Sequence, residues 1–70
     1  MLTEERRNAI LQLVNVNGSI TVTEIKEQLD ISESTARRDI TALASLGKLE
    51  KVFGGAIAIR NTVSTEELHN

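Results

Sequence analysis

Cysteine is absent from the 70 residues, so neither a disulfide framework nor a thiolate metal site can staple the chain. Tryptophan and tyrosine are absent too, and Phe53 is the sole aromatic. That excludes the stacking platforms on which most single-strand nucleic-acid binders lay their bases. The one histidine, His69, stands in a polar tail, so no imidazole-based catalytic or metal site is expected, and no cofactor. The longest aliphatic run, Ala56–Ile59, is far short of the about 20 residues of a membrane span. The acidic start, Met1-Leu2-Thr3-Glu4-Glu5, lacks the apolar stretch of a secretory signal, and a cytoplasmic address is expected. A chain this short buries only about 60% of its unfolded surface. One small domain with a thin core follows, with little room for a water-excluding pocket. No paired carboxylates stand where a cleft could use them, and an enzyme is not expected.

What is present is unevenly distributed. The formal net charge is -2. Up to Ala36 the bases Arg6, Arg7 and Lys26 are outnumbered by Glu4, Glu5, Glu24, Glu27, Asp30 and Glu33. From Arg37 to Arg60 the bases Arg37, Arg38, Lys48, Lys51 and Arg60 face only Asp39 and Glu50. The second half is therefore basic, and binding of a polyanion depends on the local field rather than on the total.

Three helices are predicted. Thr3 is the expected cap of the first, with Glu4 and Glu5 in its first turn, where the helix dipole favours acids. Ile10, Leu13 and Val14 form its apolar stripe, and Asn17-Gly18 ends it. Thr21-Val22-Thr23-Glu24 reads as a capping box for the second helix, with Ile20 and Ile25 as its hydrophobic staple. Ile20 and Val22 also leave room for a short extended stretch ahead of it. That helix ends near Asp30, and the third starts at once with Ser32 as cap and Ala36, Ile40 and Leu43 at helical spacing. Gly47 stands where a C-terminal glycine belongs. Two short helices across the tight turn Asp30-Ile31-Ser32 have the spacing of a helix-turn-helix. Leu49–Phe53 and Ala56–Ile59 then read as two extended runs, with Gly54-Gly55 as the hairpin turn between them. Leu49 and Val52 have opposite parity, which leaves the register of the first run open. The expected fold is α+β, mainly helical: a winged helix-turn-helix of three helices and a β-hairpin over residues 1–60, followed by a polar linker or frayed tail over 61–70. Its expected core is Ile10, Leu13, Val14, Ile25, Leu29, Ile31, Ala36, Ile40, Leu43, Leu49 and Ile57.

At 100° per residue, the positions of the third helix farthest from its core stripe are Ser34, Arg38, Thr41 and Ser45, with Arg37 and Thr35 on the flanks. Arginine can donate two parallel bonds to a guanine edge in the major groove, and serine and threonine reach base edges or phosphates. Adjacent arginines by themselves resemble any solvated helix face, and Lys48 and Lys51 any surface lysines. The conjunction is what points to duplex DNA: the turn, the arginine pair and the basic hairpin occur in the order a winged helix requires. Asp39 is expected to pair within the fold. Phe53 has two places open to it, packed under the hairpin or near its tip.

Thr35-Ala36-Arg37-Arg38-Asp39-Ile40 resembles the T-I-R-R-D-L signature of the DeoR-type bacterial repressors, and Lys51-Val52-Phe53-Gly54-Gly55-Ala56 resembles their wing, commonly R-x-H-G-G-A. Arg6 with Ile10-Leu11 is similar to their opening helix, and Gly18–Val22 with Glu24-Ile25 to their second. Ala36 departs from the pattern by replacing a larger aliphatic residue, Lys26 stands where alanine is common, and Lys51 and Phe53 replace arginine and histidine. The resemblance implies a repressor of a sugar or nucleoside catabolic operon that binds double-stranded operator DNA. Ser34, Thr35, Arg37, Arg38 and Thr41 would contact bases and phosphates. Arg6, Lys48, Lys51 and the Gly54-Gly55 backbone would hold phosphate or the adjacent minor groove. It also implies a larger C-terminal domain outside this chain that binds a phosphorylated sugar and drives homo-oligomerisation. A protein-docking winged helix without DNA binding is the alternative, favoured only by the acidic overall balance.

Overall fold

Helix α1 (Thr3–Asn17) starts at the residue expected to cap it. The cap is Leu2 instead; its backbone N–H donates to Glu5 Oε1 at 3.2 Å, so the carboxylate satisfies the helix start without a hydroxyl. The computed structural model describes residues 2–59; the expected linker over 61–70, together with Arg60 and His69, lies outside the described residues. Gly18, at φ +87°, closes α1 and returns its N–H to Val14 O at 2.7 Å. The short extended stretch forms as strand β1 (Ser19–Thr21).

Helix α2 (Val22–Leu29) has the expected capping box: Glu24 N–H donates to Thr21 Oγ1 at 3.0 Å, and Thr21 N–H to Glu24 Oε1 at 2.9 Å. It ends at Asp30, which takes the left-handed conformation with φ 56°. Helix α3 (Glu33–Ser45) is capped by Ser32, whose Oγ accepts from Thr35 N–H at 3.2 Å. At its far end Gly47 N–H bonds Ala44 O and Lys48 N–H bonds Leu43 O, each at 3.0 Å, a Schellman motif made possible by φ +74° at Gly47.

Strands β2 (Leu49–Val52) and β3 (Gly55–Ala58) form the hairpin, and β3 lies between β1 and β2 in one antiparallel three-stranded sheet. Two expectations are corrected here. Val52 pairs with Gly55, so the two turn residues are Phe53 and Gly54, not Gly54 and Gly55. Only Gly54 has positive φ (+81°), which a type II turn requires at its second central residue. Gly55 belongs to β3 because a side chain there would strike β1: an added Cβ would lie 2.1 Å from Ile20 O and 2.8 Å from Thr21 Cα.

The second correction concerns Ile57. Ile20 pairs with Ala56, and Leu49 with Ala58, so this parity faces the helices. Ile57 pairs with Glu50 and Ser19 on the other face, and its place in the core is taken by Ala56. The core proper is Ile10, Val14, Ile20, Val22, Ile25, Ala36, Ile40, Leu43, Leu49 and Ala56, with Leu13, Leu29 and Ile31 half-buried against it. The open register of β2 is settled by the same parity: Leu49 points inward, and Lys51 points the same way but past the edge of the core.

Candidate nucleic-acid interface

The stripe Ala36, Ile40 and Leu43 is buried, which turns Ser34, Arg37, Arg38, Thr41 and Ser45 outward along α3. Around its cap, Ser32 Oγ donates to Thr35 Oγ1 at 3.0 Å and lies 3.2 Å from Ser34 Oγ. These short side chains are thus held close to the helix end, and Thr35 is half-buried.

The two arginines of α3 differ in company. Arg37 Nε donates to Glu33 Oε2 at 2.9 Å and Nη2 lies 2.7 Å from the same oxygen. Lys26 Nζ approaches the other Glu33 oxygen at 3.9 Å. The hydrogen bond from Arg37, its charge and that of Lys26 hold the Glu33 carboxyl below the ordinary range. The Arg38 side chain makes no hydrogen bond or ion pair among the described residues and is exposed. The Arg37–Glu33 pair is exposed and screened by water, so phosphate can displace Glu33 at small cost.

Asp39 is the one fully buried charge among the described residues, with 0% exposure. It pairs within the fold as expected, and its partners come from α1. Arg6 grips it with two guanidinium nitrogens, Nε on Oδ2 and Nη2 on Oδ1, the latter at 2.9 Å, while Arg7 Nε donates to Oδ1 at 2.9 Å. Burial pushes the Asp39 carboxyl up, but the bonds and charges of the two arginines outweigh it and hold the group below its ordinary value. The bond to Asp39 correspondingly raises Arg6. Arg6, expected from the sequence to hold phosphate, has a side chain only 17% exposed and engaged on α3. Arg7, which sequence reasoning did not single out, has the same duty; a partner 32 residues away leaves no local signal.

The wing completes the surface. Lys51 Nζ donates to Thr41 Oγ1 at 3.5 Å, which lays β2 beside the outward face of α3. Lys48 is exposed at the junction of α3 and β2. Gly54 O accepts from Val22 N–H at 2.8 Å, tying the hairpin turn to the start of α2. Gly55, expected beside Gly54 as a backbone contact, is buried and paired with Thr21 of β1 and Val52 of β2. With Arg6, Arg7 and Arg37 paired to acids, Arg38, Lys48 and Lys51 are the cations of this surface without an acidic partner among the described residues. Among the described residues no cluster of acids and histidines could hold a metal, and no helix is long and apolar enough to cross a membrane.

Comparison with known proteins places this geometry in company. The family model for the DeoR-like helix-turn-helix domain matches residues 6–62. The chain is 43% identical over 74 aligned positions to a lactose phosphotransferase system repressor of Streptococcus mutans serotype c, covering 100% of the chain and 30% of that protein. It is 43% identical over 61 positions to the HTH-type transcriptional regulator GolR of Listeria innocua serovar 6a, covering 87% and 24%. It is 44% identical over 59 positions to the HTH-type transcriptional regulator UlaR of Shigella flexneri, covering 84% and 24%. The chain therefore spans 24–30% of the length of these curated relatives. No solved structure matches it.

Proposed function

Because the chain belongs to the DeoR-like helix-turn-helix family, we propose that it binds duplex DNA sequence-specifically as the DNA-binding part of a transcriptional repressor. Helix α3 lies in the major groove, with Arg38 reading a base edge. Ser34, Thr35, Arg37 and Thr41 make base and phosphate contacts, and Lys48, Lys51 and the Gly54 backbone hold phosphate. The observation that carries this reading is the Arg38 side chain, exposed and without an acidic partner among the described residues, on the face of α3 opposite the core. A guanidinium in that state has its donors open for a bidentate pair with guanine, worth about 1–3 kcal/mol of discrimination.

Selection of bound duplexes from a random pool, followed by titration of the best sequence, tests the reading. Arg38→Ala is expected to weaken the selected duplex by about 1–3 kcal/mol and to relax preference at one base pair, leaving random DNA nearly unaffected. Equal losses on both would contradict its role. Lys51→Ala is expected to weaken selected and random duplexes alike and to lower the slope of log affinity against log salt by about 1. A wild-type chain with no salt-dependent duplex affinity would favour the protein-docking alternative instead.

For the whole protein, the similarity to a lactose phosphotransferase system repressor supports regulation of a sugar operon. We place a phosphorylated-sugar effector and homo-oligomerisation in a domain beyond this chain. Two copies then read half-sites about 34–36 Å apart or at a multiple of that spacing.

A further inference from the structure

The chain's single aromatic is the most exposed large hydrophobic side chain among the described residues. Phe53 is 105% exposed at the tip of the wing, with Val52 beside it at 36%. Folding gains nothing from a phenyl ring in that position, since it is as wet as in an open chain. The turn that carries it is nevertheless firmly built. Gly54 O is bonded to Val22 N–H at 2.8 Å, and Gly55 is pressed against the β1 backbone. A two-residue loop between paired strands leaves the ring little freedom to fold back.

Its neighbours are those of the proposed interface. Lys51, two residues before it on β2, touches Thr41 on the outward face of α3. Phe53 follows Lys51 by two residues, so its Cα lies within about 7 Å of that of a residue in contact with α3. The neighbouring minor groove is about 6 Å wide, too narrow for a two-stranded ribbon but wide enough for one flat side chain. Apolar side chains entering there part adjacent base pairs and bend the duplex by about 20–90°.

Resting on the DNA-binding reading above, we propose that Phe53 is a wedge that enters the minor groove beside the site read by α3 and opens one base step. It selects for flexible pyrimidine–purine steps at a position where the protein forms no base hydrogen bond. The fixed turn means that the backbone carrying the ring needs no further ordering on insertion. Lys51 supplies the charge that holds the adjoining backbone while the step opens.

The test uses the 70-residue chain, Phe53→Ala and Phe53→Leu, with the duplex that the wild-type chain selects from a random pool. Melting by circular dichroism is expected to be unchanged in both variants, because the ring is fully solvated. End-to-end energy transfer reports the bend, and a fluorescent base analogue at each flanking step reports unstacking. The wild-type chain is expected to bend the duplex by tens of degrees and to light one step. Phe53→Ala loses the bend, the signal and about tenfold or more in affinity, whereas Phe53→Leu, still an apolar wedge, keeps most of each. A wild-type complex with straight DNA, or a Phe53→Ala complex as bent and as tight as wild type, overturns the wedge while leaving DNA binding intact. The second of those outcomes would leave the ring to a protein partner. A chain that enriches no duplex at all defeats the DNA-binding reading itself.

Discussion

Asp39→Asn is expected to lower folding stability by about 2–3 kcal/mol at neutral pH, measured by urea denaturation. Removing one partner of a buried ion pair leaves the other charged without compensation and commonly costs about 3–5 kcal/mol. Here Arg6 and Arg7 are 17% and 30% exposed, so water relieves part of that penalty and the lower figure applies. Domains have about 0.05–0.15 kcal/mol of stability per residue, so the loss is a large part of the total for one this small. Asparagine keeps the shape and one carbonyl acceptor, so the effect combines the lost charge with one acceptor turned into a donor against arginine. A variant as stable as wild type would show that desolvation of Asp39 cancels its pairing.

The same group sets an acid limit. Its carboxyl is held below its ordinary value of 3.8, so the unfolded chain takes up the proton first as pH falls. The stability from this pair is therefore fully present above the ordinary value and is lost as pH drops through the lower, folded one. Glu33 shifts in the same direction but on an exposed pair, and contributes little. Wild type is expected to lose stability steeply below about pH 4, and Asp39→Asn to have a flatter profile over that range. Parallel profiles would place the acid sensitivity elsewhere.

Gly55→Ala carries the other large expected effect, about 3 kcal/mol, at the upper end for overpacking. The obstacle is backbone, Ile20 O at 2.1 Å from the new Cβ, and backbone in a paired strand cannot step aside as a side-chain tip does. The β1–β3 pairing must open, and amide exchange should accelerate there before it does in α1 or α3. Gly18→Ala is the informative contrast. It has open space around the added carbon and only the left-handed conformation to resist, worth about 1–2 kcal/mol. Similar losses at both positions would deny the close approach of β1 and β3 its importance.

Most of the candidate interface was legible because it depends on one helix. Once Ala36, Ile40 and Leu43 are assigned inward, the period of 3.6 puts Ser34, Arg38 and Thr41 outward with no further information. The wing was read less well. A Gly-Gly pair looks like a turn, but which glycine turns depends on which one meets β1, a strand more than 30 residues earlier. Ile57 was misplaced for the same reason: parity on β3 follows from its pairing with Ile20, and the alanines that replace it inside carry no pattern of their own.

Capping boxes, glycine stops and helical periodicity act over a few residues, and the sequence alone determined through them the three helices, the tight turn between the second and third, and the outward position of Arg38. Only the tertiary structure decided that Arg6 and Arg7 pair with Asp39, that Gly55 lies inside the sheet, and that Phe53 stands alone at the tip. Each of those depends on which distant groups share a low-dielectric interior or a strand edge, and such contacts form between residues whose spacing along the chain encodes nothing about them.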